Sequence, residues 1–173
     1  MTDVMAGPGA RTRTIEWDDP MIGATAGRGM AGLEYMRAMI RGELPRPPIA
    51  WALDFLLEEV EEGRAVFTMT PAEFHYNPIG VVHGGVAATL CDSAMGCAVH
   101  TLLPAGAGYT TLEIKINLLR PITVATGPVR AEGTALHAGR TTALAEARLT
   151  DAAGKLLAYA TSTCLILRPE GKG

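Results

Sequence analysis

The chain has 173 residues, enough for one domain with its own core, and 48% of them are hydrophobic. A formal net charge of −3 carries no electrostatic footprint for nucleic acid, and no uninterrupted apolar run of about 18 residues is present to span a bilayer as a helix. The three cysteines, Cys91, Cys97 and Cys164, form no C-x-x-C pair; together with a start that lacks a basic segment and an apolar core, they read as reduced thiols of a cytoplasmic protein.

Residues up to about Arg28 are rich in Gly, Thr, Ala and Arg without periodicity, and read as a mobile extension. Leu33, Met36, Met39 and Ile40 then fall at helical spacing, which predicts a short amphipathic helix over about 33–41. Gly42 ends it, and Pro45, Pro47 and Pro48 oppose its resumption. From Trp51 the pattern turns to strands: 51–60 and 65–70 flank the turn Glu61-Glu62-Gly63-Arg64. A loop with Asn77, Pro78 and Gly80 leads into the long helical candidate, Gly85 to about Leu103, which is apolar or small nearly all round and so reads as buried. Leu112, Ile114, Ile116 and Leu118 alternate with Glu113, Lys115 and Asn117 as a strand that Pro121 stops. Strands over 129–136, 141–150 and 156–167 follow, joined by turns at Ala138-Gly139-Arg140 and Asp151-Ala152-Ala153-Gly154. Antiparallel hairpins around one buried helix make an α+β layout. The boundaries are an N-terminal extension over 1–50, a domain over 51–167 and a tail over 168–173.

The segment Asn77-Pro78-Ile79-Gly80-Val81-Val82-His83-Gly84-Gly85 carries the densest chemical signal. Glycines at a helix start let a ligand approach backbone N–H groups at the positive end of the helix dipole, an arrangement that suits a developing oxyanion. The same residues also read as a tight loop entering a helix. Asp92 lies about two turns further on, among Leu90, Cys91, Ala94 and Met95. A carboxylate there needs a partner or a solvated edge, with Thr89 and Ser93 as local candidates. His75, His83, His100 and His137 form no metal-ligand spacing, and no glycine-rich phosphate loop is present.

The pattern Asn77-x-x-Gly80-x-x-His83-Gly84-Gly85-x-x-x-x-x-x-Asp92 resembles that of the phenylacetate-pathway (PaaI-like) hotdog acyl-CoA thioesterases. Thr110 to Pro121 and His137-Ala138-Gly139-Arg140-Thr141 extend the resemblance, which covers about 51–167. It implies a hotdog fold, a curved antiparallel sheet wrapped around one central helix, in a homodimer with interface active sites that pairs into a dimer of dimers. It implies hydrolysis of a small to medium or aromatic acyl-CoA, with no cofactor beyond the CoA of the substrate, no metal, no nucleic acid and no membrane. Carried over, Asp92 is the nucleophile or general base, the Gly84 N–H polarises the thioester carbonyl, Asn77 positions water or that carbonyl, His83 shapes the loop, and Thr111 hydrogen-bonds near the carboxylate. Gly85, Gly139 and Arg140 are then substrate-binding, the last two at the CoA phosphates, where a planar permanent cation suits phosphate. Thr111 also reads as an ordinary strand threonine and Arg140 as a solvated hairpin residue. Arg120 reads as a sheet residue that could pair with Glu113. Ala88, Ala94, Met95 and Val99, with the segment 44–49, are candidates for the acyl pocket. A non-catalytic acyl-CoA-binding module, or an enoyl-CoA hydratase or dehydratase using His83 with Asp92, are the alternatives.

Overall fold

A computed structural model of the chain describes residues 9–168. The first eight residues of the expected extension, and 169–173 of the expected tail, lie outside the described residues. In chain order the elements are α1 (Pro20–Gly27), α2 (Gly32–Ile40), α3 (Pro48–Ala52), β1 (Phe55–Glu61), β2 (Arg64–Met69), α4 (Gly84–His100), β3 (Gly108–Leu118), β4 (Val129–Ala138), β5 (Thr142–Asp151) and β6 (Leu156–Leu167).

The six strands form one sheet in the order β1-β2-β4-β5-β6-β3, antiparallel throughout. Helix α4 packs across its concave face, so the fold is the α+β hotdog. The strand residues Ala65, Ala131, Ala145, Ala147, Ala158 and Ala160 are buried beneath Leu90, Cys91, Ala94, Met95, Ala98 and Val99 of α4. Small strand residues let the helix sit low on the sheet. Closest approach is at Gly133 of β4, where a Cβ would lie 2.3 Å from backbone atoms of Ala94, so any side chain there would lift the helix.

Two edges remain. Strand β1 is 7 residues long, carries a bulge between Leu57 and Glu59, and bears Glu58, Glu59 and Glu61. Those features discourage pairing with another strand. Strand β3 is 11 residues long, bonds to β6 on one side only, and exposes Leu112 and Leu118 at 57% and 55%.

The N-terminal third differs most from the reading of the sequence. Residues 20–27 are helical where no periodicity pointed to an element. Their signal is local: Asp19 caps the helix by accepting from Met21 N at 2.9 Å, and Pro20 holds the first turn. Within the stretch read as mobile, Arg13 donates to the carbonyls of Trp51 and Ala52 at 2.8 and 2.7 Å. Pro48 starts α3 instead of blocking it, because a first-turn proline loses no helical hydrogen bond. The strand expected from Trp51 therefore begins only at Phe55, after Asp54 turns the chain with φ +52°. Helix α2 docks on the far end of α4 through Gly32 N–H to Leu103 O at 2.9 Å and an edge contact between Tyr35 and His100.

Candidate active site

The loop before α4 is built by Asn77. Its Oδ1 accepts from Ile79 N and Val81 N at 3.1 and 3.3 Å, and its own N–H donates to Val81 O at 2.8 Å. Gly80 turns the chain at φ +81°. The side-chain carbonyl of Asn77 is therefore spent on holding the loop. His83 follows as the N-cap: its Nδ1 accepts from Gly85 N at 2.9 Å, which places the ring proton on Nε2. Val86 N donates to His83 O at 2.9 Å. Of the first three N–H groups of α4, only that of Gly84 has no acceptor among the described residues. Gly85, expected to bind substrate, uses its N–H for the cap made by His83.

Gly84 cannot carry a side chain without a shift nearby. A Cβ there would lie 2.6 Å from Leu118 Cδ1 at the end of β3. Asn77, Ile79, Gly84, Leu118 and Leu119 share a shallow cavity of about 330 Å³.

Asp92 lies eight residues beyond Gly84, about 12 Å along the helix axis at roughly 1.5 Å per residue. Its partner is Thr111 of β3, whose hydroxyl donates to Asp92 Oδ1 at 2.9 Å. Thr89, a local candidate on sequence, donates instead to Gly85 O at 2.9 Å. A bulge makes the Thr111 contact possible. The register of β3 against β6 shifts between Thr111 and Glu113. Before it Tyr109 and Thr111 face the helix; after it Ile114 and Ile116 pack on the core, and Leu112 is left outside at 57% exposure.

Asp92 opens into a cavity of about 650 Å³ together with Ser93, Cys97 and Tyr109. Its remaining walls come from β1, from Phe67 and Thr68 of β2, and from the segment Leu44–Trp51, with Leu44, Pro45, Arg46, Pro47 and Ile49 all taking part. The volume suits a small organic group. Of the apolar helix residues expected here, Ala94, Met95 and Val99 are fully buried on the sheet side, and the cavity takes Ser93 and Cys97 in their place. Burial pushes the Cys97 thiol up to about 12, so it stays protonated and unreactive at neutral pH. Asp18 and Glu58 also reach the lining, both from exposed positions.

Gly139 and Arg140 lie in the β4–β5 turn, where Gly139 N–H donates to Thr142 O at 2.8 Å. Register places this turn at the Thr111 end of the sheet: Ala143 pairs with Cys164, which pairs with Thr111. The Arg140 side chain is exposed and has no partner among the described residues. Arg120 bonds to Leu156 O, not to Glu113. Among the described residues no group of three or more His, Cys, Asp or Glu is placed to hold a metal ion. Arg46 falls in the segment 44–49 expected at the acyl pocket, whereas Trp51 and Tyr109 were missed as cavity residues by sequence reasoning. Pro45, Pro47 and Pro48 were the available signal, since a proline-stiffened segment beside an apolar helix is suited to cover a site.

Within one chain, then, the free backbone donor and the carboxylate sit at two ends of β3 and in two cavities. A family model described as the thioesterase superfamily matches residues 79–158, from the loop through α4 and β3 to β5 into the start of β6. A Saccharolobus solfataricus protein bearing the name of an esterase is 37% identical over 118 residues, 68% of this chain and 82% of that one. The 1,4-dihydroxy-2-naphthoyl-CoA hydrolase of Listeria monocytogenes is 31% identical over 62% of this chain and 85% of its own length. Among solved structures, the phenylacetic acid degradation-related protein of Ralstonia eutropha matches with a TM-score of 0.69 at 30% identity, over 76% of this chain and 98% of its own.

Proposed function

The chain belongs to the thioesterase superfamily and is a thioester hydrolase, and on that premise we propose that it hydrolyses a small to medium or aromatic acyl-CoA with Asp92 as the catalytic carboxylate. The observation that carries this is the opening of Asp92 into the 650 Å³ cavity with one oxygen held by Thr111. Thr111 fixes Oδ1, which leaves Oδ2 for the reaction. As general base, Asp92 takes a proton from water, whose oxygen adds to the thioester carbonyl. The C–S bond breaks as the tetrahedral adduct collapses, and the proton returns to the departing thiolate. As nucleophile, Asp92 adds directly and forms a mixed anhydride with release of CoA, which water then cleaves. Either route places negative charge on the carbonyl oxygen, and the Gly84 N–H at the positive end of α4 is the donor suited to it. Arg140, exposed at the Thr111 end of the sheet, is suited to the CoA phosphates.

The 12 Å between Gly84 and Asp92 makes this a two-chain site in our reading. Strand β3 runs past Asp92 at Thr111 and past Gly84 at Leu118. If two β3 edges pair antiparallel about a centre between Ile114 and Lys115, Thr111 of each copy faces Leu118 of the other. Asp92 of one chain then meets Gly84 of its partner, twice, as a two-fold interface requires. The open β3 edge, Leu112, Leu118, and Ile79 at 82% exposure support that pairing.

The test is release of free CoA thiol from short, medium, long and aromatic acyl-CoAs by wild type beside Asp92→Asn. Wild type should turn over at least one class, and Asp92→Asn should lose on the order of a hundredfold or more with its circular dichroism unchanged. Wild-type turnover by Asp92→Asn would remove Asp92 from the role. A folded wild type that binds acyl-CoA and releases no thiol from any member would favour a binding module.

A further inference from the structure

Two hydroxyls stand beside Asp92 in its cavity, those of Ser93 and Tyr109, and neither belongs to the hydrolytic machinery of Asp92, Thr111 and Gly84. Asp92, Ser93 and Gly96 share one side of α4. At about 100° per residue, Gly96 falls about 40° round the helix from Asp92 and about 60° from Ser93, one turn further on. The Tyr109 hydroxyl stands where a side chain of residue 96 would begin: a Cβ on Gly96 would lie 2.4 Å from that oxygen. A helical side chain covers the turn before its own Cα, so an atom in that place stands over Asp92 and Ser93. Cβ positions four residues apart on a helix are about 5–6 Å from each other. That is close to the span one water bridges with two hydrogen bonds of about 2.8 Å.

Both hydroxyls open to the cavity. Neither bonds to a nitrogen or oxygen among the described residues, and neither is among the side-chain atoms that are buried without a partner. Ser93 forgoes the bond to the carbonyl four residues back, which Thr89 makes to Gly85 O at 2.9 Å. Tyr109 has the Cys97 thiol beside it, a weak partner. Burial, with the Asp92 charge among the lesser causes, holds Tyr109 well above the usual 10. Its hydroxyl therefore keeps its proton and remains a donor at neutral pH. A water held at a protein wall needs two to four polar partners. Asp92 Oδ2, Ser93 Oγ and the Tyr109 hydroxyl supply three, in a wall otherwise rich in apolar residues such as Phe55, Leu57 and Phe67.

We propose that Ser93 and Tyr109 hold the hydrolytic water against Asp92. The proposal rests on the acyl-CoA hydrolase reading with Asp92 as its carboxylate. The water donates one hydrogen bond to Asp92 Oδ2 and one to Ser93 Oγ, and accepts one from the Tyr109 hydroxyl. Its remaining lone pair faces the thioester carbon. As that oxygen adds to the carbonyl, its proton passes to Asp92; the C–S bond then breaks, and the proton leaves on the CoA thiol. The two hydroxyls act on the water, so their loss falls on turnover more than on binding.

Kinetics and product analysis on the full chain test it with Ser93→Ala and Tyr109→Phe, using the best acyl-CoA. Each substitution removes one oxygen and keeps the shape, and melting temperatures check that the fold is retained. Each should lower kcat by about tenfold with KM within about twofold of wild type. Added methanol supplies a second readout. Its oxygen adds in place of water, the thioester becomes a methyl ester, and the CoA thiol leaves as before. Methanol has one hydroxyl proton and leaves Ser93 unpaired, so wild type should disfavour it. Ser93→Ala should raise the ratio of methyl ester to acid by about threefold or more, because the site then asks for no second donor. Wild-type kcat in either variant would overturn the proposal. So would losses carried in KM with the ester-to-acid ratio of Ser93→Ala unmoved, the mark of a packing role. Asp92-dependent hydrolysis that ignores both substitutions would sink the water site and leave the hydrolase standing. A wild type that releases no thiol from any acyl-CoA would take down the hydrolase, and the water site with it.

Discussion

The Thr111 hydroxyl donates to Asp92 Oδ1 at 2.9 Å, from a strand whose bulge turns that one threonine towards the helix. A hydrogen bond to a charged group contributes about 1.5–3 kcal/mol, and here it also sets which carboxylate oxygen is free. Thr111→Val keeps the shape and removes the donor. It should lower kcat by about tenfold or more, with a smaller change in KM, while Thr111→Ser should retain most of the activity. Steady-state kinetics on the best acyl-CoA checks it, and a Val variant at wild-type kcat would make Thr111 an ordinary strand residue.

The central helix, its loop and the hairpin strands were legible because each rests on local periodicity and turn residues: α4 on its all-round apolar pattern, the β4–β5 turn on Ala138-Gly139-Arg140. The bulge was not. Strict alternation would place Leu112 inside with Ile114, yet Leu112 is outside, because the register against β6 slips by one residue there. No side chain in Thr110-Thr111-Leu112 announces that slip; it is set by pairing with a strand 50 residues away in sequence. The covering segment was half legible: its prolines showed stiffness, while the place of Arg46 is set by the carbonyls of Ala50 and Phe55 that accept from it. The use of the Gly85 N–H in the cap was not legible, because the bond to His83 Nδ1 depends on a side-chain rotation that spacing does not reveal.

Gly84 should tolerate alanine only with an adjustment at Leu118. The added Cβ meets Leu118 Cδ1 at 2.6 Å, the far end of a flexible side chain, so the fold should survive at a cost of about 1 kcal/mol. Activity should suffer more, since the methyl group stands beside the N–H assigned to the oxyanion. Removing one such donor costs about a hundredfold or more in kcat. Thermal melts and kinetics of Gly84→Ala and of Gly84→Ala with Leu118→Ala separate the two effects. The double variant should regain stability and stay slow. Full activity in either would place the oxyanion donor elsewhere.

Stability should fall as pH drops below neutrality. His75 and His100 are both held below the usual 6.5, chiefly by burial. His75 accepts at Nδ1 from Ala72 N, which a protonated ring could not do, and burial outweighs the opposite pull of its Nε2 bond to Leu53 O. His100 lies between Tyr35 and Tyr109 with neither ring nitrogen bonded among the described residues. Above about 6.5 both states carry neutral rings. Below it the unfolded chain takes up protons that the folded chain refuses, so stability is lost until the folded pKa values are passed. Melting temperatures from pH 7.5 to 5 should fall, and His100→Phe should flatten that fall while matching or exceeding wild type at pH 7.5. An unchanged slope in His100→Phe would show that His100 does not contribute to it.

Single-turnover hydrolysis in ¹⁸O-water separates the two routes open to Asp92. With enzyme in excess, the general-base route places the label in the released acid at once. In the nucleophile route water that attacks the anhydride at the side-chain carbonyl leaves the label on Asp92 and the acid unlabelled, whereas attack at the acyl carbonyl labels the acid, so label on Asp92 is the outcome that marks this route. Mass spectrometry of the product and of the peptide containing Asp92 reads both. Label in neither place would contradict hydrolysis by either route.

The two-chain site predicts rescue between two crippled chains. Asp92→Asn removes the carboxylate, and Gly84→Ala obstructs the backbone donor. If each site takes Asp92 from one chain and Gly84 from its partner, a mixed dimer holds one site with both lesions and one with neither. Equal amounts that pair at random give half mixed dimers, each with one intact site of two, so activity should recover to about a quarter of wild type. Co-expression with distinguishable tags, with native mass spectrometry to confirm the mixed species, supplies the material. Sites lying wholly within one chain would leave the mixture at the mean of its two parents, because every chain would then carry its own lesion. The 12 Å between Gly84 and Asp92 along α4, spanned by β3 from Leu118 to Thr111, is what favours rescue over that outcome.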